Sequence, residues 1–416
     1  MTAPTSRLED FNPFDPELIV APYEYYARLR AEAPVYLDSR SGIYQVASYE
    51  HVAEALKKPE IFSNRFGVAM GGSSRGLPSE VQEIAKDGWP PVDTMLTADP
   101  PEQKRFRSLV NRAFTPRRVN GLASAIEGLC DELIDDFIDD GTVEVRSHYG
   151  VPVPLTVIAG QLGVPREDLA SFKRWSDGFV AQLGGMASLD EQVEAARLIV
   201  EFQKYFASIL EDRKQNPRDD ILSDVVNAEV EGERSLDTAE CLSILQQLLV
   251  AGNETTASSI TEGVLLLSQH PEARDQLARQ PDLIPNFVEE VLRLATPTAN
   301  MWRVVKCDTR LGGVDIPAGS MAMLRFASAN RDEAVFRDPD RFDITRENAS
   351  DHVAFGLGIH FCLGAMLARK EMQVAFERLL ARIGNFRLST QQSELIYEPN
   401  ILLRGLMELH IDFDTP

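Results

Sequence analysis

Residues 355–371, FGLGIHFCLGAMLARKE, place a cysteine between a glycine-rich loop and the start of an amphipathic helix. Gly356 and Gly358 allow the backbone to turn tightly before Cys362. Free N–H groups and the positive end of the helix should stabilise a thiolate there, so we expect a lowered pKa for Cys362 and ligation of a metal. Gly364 leaves room for a flat macrocycle close to the backbone. Without this context, a lone cysteine is more often a small buried hydrophobe.

A second segment, AGNETT, runs from Ala251 to Thr256 inside a long predicted helix. Gly252 costs about 1 kcal/mol relative to alanine in a helix interior, and Glu254 interrupts an otherwise uncharged stretch. The Thr255 hydroxyl can bond back to the carbonyl of Ala251, bend the helix and open a groove. Ordinary helix packing remains the alternative for this segment when it is taken alone.

Glu290 and Arg293 in EEVLR are three residues apart. On a helix this spacing puts both side chains on one face, where a buried carboxylate–guanidinium network can form. Taken alone, such a pair is more typical of a solvated surface.

The chain resembles the cytochrome P450 family, the haem-thiolate monooxygenases. Its cysteine loop matches the family's ligand loop in full, at Phe355, Gly356, Gly358, His360, Cys362 and Gly364. AGNETT, EEVLR and FRDPDRF (residues 336–342) occur in the family's order, so the resemblance extends over essentially the whole chain. It implies a bacterial, stand-alone member with a mainly α fold, small β-sheets and a long central helix that crosses the haem.

The resemblance makes Cys362 the iron ligand of haem b. The haem propionates need cationic partners, and Gln103 stands where the family commonly has histidine. The implied cofactor-binding residues are Arg107, Gln103, Arg303, His360, Phe355, Gly356, Gly364 and Ala251. The implied structural network behind the haem consists of Glu290, Arg293 and Arg341.

The implied reaction inserts one atom of O2 into a substrate, with Thr255 and Glu254 delivering protons and Thr256 as the register alternative. A peroxide-dependent member would replace this acid–alcohol pair, and a non-catalytic haem sensor or electron carrier would not need it. The pair therefore favours the oxygen-dependent enzyme.

Electrons should come from a separate protein, because no flavin or nicotinamide fingerprint accompanies the haem signature. The resemblance implies a ferredoxin and a ferredoxin reductase. Residues 99–120 carry six basic and two acidic side chains, a local charge of +4 on which an acidic ferredoxin could dock. A solvated charge run is the alternative for this segment.

The family's pocket segments align with mostly apolar residues in this chain. We therefore expect a small or medium hydrophobic substrate, such as a terpenoid, steroid or aromatic compound, with Gln247 as one polar contact. The aligned pocket residues are Gln247, Val250, Ala251, Ala299, Ile401 and Leu402.

Apolar periodicity predicts mostly helices. The predicted helices cover Glu24–Glu32, Glu50–Leu56, Glu102–Phe114, Ala123–Asp140, Arg166–Gly184, Asp190–Asn216 and Asp237–Ser268. The predicted strands cover Val35–Asp38, Ile43–Ala47, Trp302–Val305, Arg310–Leu311, Ser320–Ala327, Leu402–Leu403 and Met407–Ile411.

The segment Ser63–Asp99 lacks periodicity and predicts a long irregular loop that forms part of a substrate lid, with hinges at Gly71–Gly72 and Gly88. In the last long helix, Asp237 and Glu240 resemble an N-terminal capping pair, and His270–Pro271 supplies the stop.

The composition sets the remaining bounds. A net charge of −22 argues against binding to nucleic acid or an anionic membrane surface. We find neither a secretory signal pattern nor an apolar run long enough to span a bilayer, so we expect a cytoplasmic protein. The four cysteines lack paired spacing. We expect one domain over residues 1–416, acting as a monomer.

Overall fold

The computed structural model describes residues 7–65, 77–183, 187–229 and 234–414. The first helices are α1 (Pro16–Val20), α2 (Tyr23–Glu32), α3 (Tyr49–Leu56), α4 (Ser79–Ala85), α5 (Glu102–Val110), α6 (Pro116–Gly121), α7 (Ala123–Asp135) and α8 (Pro152–Gln161). They are followed by α9 (Leu169–Leu183), α10 (Leu189–Gln215), α11 (Ile221–Val226), α12 (Thr238–Gln269), α13 (Pro271–Arg279), α14 (Ile284–Ala295), α15 (Phe326–Ala329) and α16 (Ala365–Arg382).

Ten short strands form small sheets beside the helices. They are β1 (Val35–Asp38), β2 (Ile43–Val46), β3 (Phe62–Ser63), β4 (Thr142–Glu144), β5 (Asn300–Val305), β6 (Thr309–Leu311), β7 (Val314–Ile316), β8 (Met321–Arg325), β9 (Gly384–Leu388) and β10 (His410–Asp414) within the described ranges. The largest sheet has the order β1-β2-β8-β5-β3, and the others are β4-β10-β9 and β6-β7. The prediction of a mainly α protein with small sheets is confirmed.

The long helix α12 is built as its sequence predicts. The Asp237 side chain accepts a hydrogen bond of 2.9 Å from the Glu240 N–H, and the Glu240 side chain accepts one of 2.9 Å from the Asp237 N–H. The helix ends before His270, and Pro271 begins α13. With 32 residues it spans about 48 Å, and buried side chains occur along it from Glu240 to Leu267.

Two apolar clusters pack along α12. In its N-terminal half, Leu245 and Leu249 belong to a cluster with residues of α8, α9 and α10. In its C-terminal half, Ile260 and Val264 pack with residues of α7, α14 and α16. The helix therefore joins both cores, and the segment between these halves has a fixed place in the fold.

Several predicted boundaries differ from the structure. The helix predicted over Glu102–Phe114 ends at Val110 and continues as a 3-10 turn, because Thr115 caps α6 at Pro116. The helix predicted over Ala123–Asp140 ends at Asp135.

Other predicted segments also shift. Arg166–Asp168 is a 3-10 turn before α9. The strand predicted at Leu402–Leu403 is reduced to an isolated bridge between Leu403 and Thr298. The last strand begins at His410 instead of Met407.

The predicted loop Ser63–Asp99 contains a helix, α4. After this helix, the segment is hydrogen-bonded to α10 through Trp89 and to α12 through Val92. Gln203 on α10 accepts a hydrogen bond of 2.9 Å from the Trp89 N–H and donates one of 3.0 Å to the Trp89 carbonyl. A Cβ on Gly88 would lie 2.1 Å from Gln203 Oε1. Gly88 therefore permits a close approach to α10, while Gly71–Gly72 lies outside the described residues and the lid stays a prediction.

A buried charge network forms at Glu290 and Arg293, but its third member is not Arg341. Arg293 binds Glu290 through Nε–Oε2 and Nη2–Oε1 contacts of 2.7 and 2.8 Å, with both side chains fully buried. The second guanidinium is that of Arg346, whose Nε lies 3.1 Å from both Glu290 oxygens.

The prediction of Arg341 was wrong because a turn at Asp338, with φ of 47°, leaves the Arg341 side chain exposed. Arg341 contributes its backbone carbonyl, which accepts a hydrogen bond of 2.9 Å from Arg346 Nη2. The family-like segment FRDPDRF ends at residue 342, so the resemblance did not include Arg346, which binds Glu290 in the structure.

We predict that Arg346→Ala lowers the free energy of unfolding by on the order of 3 kcal/mol, because it removes one of two cations that neutralise the buried Glu290 carboxylate. Arg341→Ala should change it by less than about 0.5 kcal/mol. Urea unfolding of both variants checks this. Equal losses would restore Arg341 to the network.

Candidate active site

The cysteine loop is held in a tight conformation by two glycines. Gly356 and Gly358 have φ of 66° and 69°, and a Cβ on Gly358 would lie 2.7 Å from the Leu56 carbonyl oxygen. The Cys362 N–H donates a hydrogen bond of 2.9 Å to the Phe355 carbonyl. A Cβ on Gly364 would be 4.0 Å from Cys362 Sγ, just before α16 begins at Ala365. The loop thus presents the sulfur at the start of a helix, as predicted.

The acidity of Cys362 differs from the expectation. Burial raises the pKa of its thiol, and this effect outweighs the lowering by the N–H groups of Gly364 and Ala365 and by the charges of Arg107 and Arg369. The expected lowering of the pKa was wrong for the protein chain alone, because the sulfur is more deeply desolvated than the loop sequence indicates. A bound metal ion supplies the charge that deprotonates such a thiol.

Cys362 lines a cavity of about 270 Å³ whose other walls are mostly apolar. Along α12 the wall is formed at four-residue spacing by Gln247, Ala251, Thr255 and Ser259. Apolar side chains from other parts of the chain complete it, among them Leu56, Met95, Ile158, Phe179, Met301 and Leu402. The cavity is therefore an apolar space with a sulfur in its wall.

The hydroxyls on α12 bond to the helix itself. Thr255 Oγ1 donates a hydrogen bond of 2.9 Å to the Ala251 carbonyl, which confirms the predicted contact, and Ser259 Oγ donates one of 2.9 Å to the Thr255 carbonyl. Thr256 also lines the cavity. Glu254 does not line the cavity: its buried carboxylate pairs with Arg146.

Three basic side chains, Arg107, Arg303 and His360, converge on the cavity. Burial lowers the pKa of Arg303 to about 10, against the opposing effect of Asp99. Burial and the charge of Arg303 lower the pKa of His360 to about 4. Among the described residues, neither ring nitrogen of His360 makes a hydrogen bond of ordinary geometry. The buried Arg303 cation, the half-buried Arg107 cation and the unpartnered His360 ring, which can donate a neutral hydrogen bond, match the two carboxylates of a haem.

The donor set fits a haem on these grounds: a sulfur ligand, an apolar space and a cationic end lie in one cavity. Gln103 is placed differently from the expectation, since its buried amide donates a hydrogen bond of 2.9 Å to the Ile359 carbonyl and does not line the cavity. It therefore ties α5 to the cysteine loop.

The predicted substrate pocket is partly assembled. Gln247, Val250, Ala251 and Leu402 line the cavity. Ala299 instead packs with Tyr26 and Ala327, and Ile401 packs with Trp302 and Met323. Their neighbours Thr298 and Leu403, which pair in a β-bridge, reach the cavity in their place.

Other lining residues, such as Phe179 and Met95, were missed. They come from a helix and a loop whose sequences carry no motif, so only the tertiary fold brings them to the site.

Comparison with known proteins decides the family. The cytochrome P450 family model matches residues 189–407, more than half of the chain. The chain belongs to the cytochrome P450 family. It is 35% identical to a steroid C26-monooxygenase of Mycobacterium tuberculosis (strain ATCC 25618 / H37Rv), over 94% of this chain and 93% of that protein.

Two further matches agree with this assignment. A vitamin D(3) 25-hydroxylase of Pseudonocardia autotrophica is 36% identical, over 99% of this chain and 98% of that protein. The solved structure of a cytochrome P450 from Chondromyces apiculatus superposes with a TM-score of 0.86 at 38% identity, covering 99% of this chain and 100% of that one. The fold is the P450 fold, the cofactor is haem b, and the protein is a P450 monooxygenase that uses O2, a redox partner and a substrate.

No helix among the described residues is long and apolar enough to cross a membrane.

We predict that Arg303→Met weakens haem retention, because a buried charge-assisted contact contributes about 1.5–3 kcal/mol. Haem should transfer from this variant to excess apomyoglobin about tenfold faster than from the wild type. Arg310→Met, at an exposed arginine of β6, is the matched control and should retain the wild-type rate. A wild-type rate for Arg303→Met would remove this arginine from the haem site.

Proposed function

We propose that this P450 hydroxylates a steroid-type substrate with electrons from a ferredoxin and ferredoxin reductase, and that Thr255 and Glu254 control proton delivery. The observation that supports it most strongly is that Cys362 and Thr255 line the same apolar cavity. One residue is the expected iron ligand and the other the expected proton donor, from segments more than 100 positions apart in the sequence.

Haem bound through Cys362 supplies the activation of dioxygen, which the thiolate favours by donating electron density. The chain's own task is to hold that group and to keep water out. Arg107, Arg303 and His360 would bind the propionates, and the cysteine loop would hold the sulfur in place.

Thr255 can move a proton at the cavity wall. Its hydroxyl donates to the Ala251 carbonyl, which leaves the lone pairs of Oγ1 free to accept a hydrogen bond from a water or ligand. When the hydroxyl rotates, the same oxygen donates into the cavity. A threonine at this point can therefore pass a proton inward while the apolar walls exclude solvent.

Glu254 does not line the cavity and lies among other charged residues. Its carboxylate pairs with Arg146, and both side chains are largely buried. Burial raises the pKa of nearby Glu398, and the negative charge of Glu254 raises it further. We propose that Glu254 takes up protons from the outside when its pair with Arg146 opens.

The substrate class follows from the cavity and from the relatives. The walls are mostly apolar, which suits each class predicted from the sequence. The names of the two relatives described above refer to oxidation of a steroid and of vitamin D(3). The buried Gln247 Oε1, without a hydrogen-bond partner among the described residues, would accept a hydrogen bond from a substrate hydroxyl. We therefore propose a steroid that carries a hydroxyl group.

The ferredoxin would dock beside the cysteine loop. Phe361 and Met366, which flank Cys362 in sequence, are exposed apolar side chains, and Lys104 is exposed next to Gln103, which bonds this loop. The basic segment 99–120 offers less free charge than its composition indicates. Arg105 pairs with Glu240 and Arg118 with Asp219, while the side chain of Arg112 lies outside the described residues.

Reconstitution tests the proposal. The holoprotein, a bacterial ferredoxin, its reductase and NADPH are incubated under 18O2 with a panel of hydroxysteroids, terpenoids and simple aromatics. We expect a steroid product that has gained one 18O atom, and no product when ferredoxin is omitted. Oxidation of the other compounds alone would contradict the substrate class, and turnover with hydrogen peroxide but not with ferredoxin would contradict the electron source.

We predict that Thr255→Ala keeps haem and substrate binding but lowers product formed per NADPH about tenfold, because solvent protons then release the reduced oxygen as hydrogen peroxide. Thr256→Ala should keep most of the coupling. Product, peroxide and NADPH are measured together for each variant. Loss of coupling only in Thr256→Ala would shift the assignment by one residue, and loss in neither would refute the proton-delivery role.

A further inference from the structure

A charged cluster near the cysteine loop does not line the cavity. Arg369 on α16 binds Glu289 on α14 through two contacts, Nε–Oε1 of 2.6 Å and Nη2–Oε2 of 2.8 Å. His352 Nε2 lies 3.2 Å from the same Glu289 carboxylate. Burial opposes ionisation of Glu289, but hydrogen bonds and charges of Arg369 and His352 prevail and lower its pKa to about 2. The carboxylate therefore stays ionised and holds the guanidinium fixed.

This cluster is joined to the cysteine loop through one aromatic ring. The Arg369 guanidinium carbon lies 4.5 Å from the centroid of the Phe355 ring, and the His352 ring centroid lies 5.8 Å from it. Phe355 lines the cavity, and its carbonyl accepts the hydrogen bond from the Cys362 N–H. The cation thus has a fixed place against the ring of the residue whose carbonyl binds the Cys362 N–H.

We propose that Arg369, positioned by Glu289 and His352 against Phe355, stabilises negative charge on the Cys362 side of the haem and so raises the reduction potential of the bound iron. The inference rests on the proposed haem ligation by Cys362. Reduction adds one electron to the ferric haem–thiolate unit, with no bond broken, and makes the unit one charge more negative. A fixed cation nearby favours that state, whereas Glu289, which binds two nitrogens of the guanidinium, acts mainly by holding it.

The test is a potentiometric titration of the holoprotein with dithionite. We expect Arg369→Gln to shift the ferric–ferrous equilibrium about tenfold toward ferric, a fall of about 59 mV for a one-electron couple. Arg369→Lys, which keeps the charge, should recover most of the wild-type potential. Arg378→Gln is the matched control: it removes a similar two-contact ion pair, to Asp131, on the same helix but about 13 Å further along its axis. It should leave the potential unchanged.

The proposal is overturned if Arg369→Gln changes the ferric–ferrous equilibrium by less than threefold. It is also overturned if Arg369→Gln and Arg378→Gln change this equilibrium equally. If Arg369→Gln does not retain haem, Glu289→Gln replaces it; this variant frees the guanidinium from its fixed place and should shift the ferric–ferrous equilibrium at least threefold toward ferric, and no such shift overturns the proposal. The absorption of the carbon monoxide complex is recorded for each protein. A wild-type complex without the thiolate band would refute haem ligation by Cys362 itself, whereas a normal band with an unchanged potential refutes only the role of Arg369.

Discussion

The structure depends on a buried electrostatic imbalance that the polypeptide alone does not resolve. Arg107, Arg303 and His360 direct basic groups at one cavity, with little acidic compensation from the described residues around them. In the same cavity burial keeps the Cys362 thiol protonated, against the local groups that favour a thiolate. Buried charge is tolerated only when it is paired. A bound haem would compensate both groups, because its propionates would neutralise the cations and its iron would replace the proton of the Cys362 thiol.

The rest of the fold keeps this cavity in place. The helix α12 crosses between two apolar cores and contributes one face to the cavity wall. The cysteine loop is fixed on one side by the amide of Gln103 and on the other by the cluster of Glu289, His352 and Arg369. The reacting groups therefore belong to rigid elements, which is how a protein holds a site in the geometry that chemistry requires.

The predictions that the structure confirms rest on motifs of residues close together in the sequence. The glycines around Cys362, the capping pair at Asp237 and the hydroxyl contact of Thr255 depend on neighbours within a few residues, so the sequence was sufficient for them. Much of the site depends on the tertiary fold instead. Arg346 replaces Arg341 because a turn redirects the chain, and Ala299 and Ile401 pack into other apolar clusters while Thr298, Leu402 and Leu403 line the cavity. The raised pKa of Cys362 reflects burial by distant segments, which no local pattern reports.

Haem ligation by Cys362 is tested by the absorption spectrum of the carbon monoxide complex of the reduced holoprotein, recorded for the wild type, Cys362→Ala and Cys130→Ala. Cys130 is a buried cysteine outside the cavity and is the matched control. We expect the long-wavelength band of thiolate ligation in the wild type and in Cys130→Ala, and its loss in Cys362→Ala. A wild-type protein with full haem content but a spectrum of the histidine-ligated kind would contradict it.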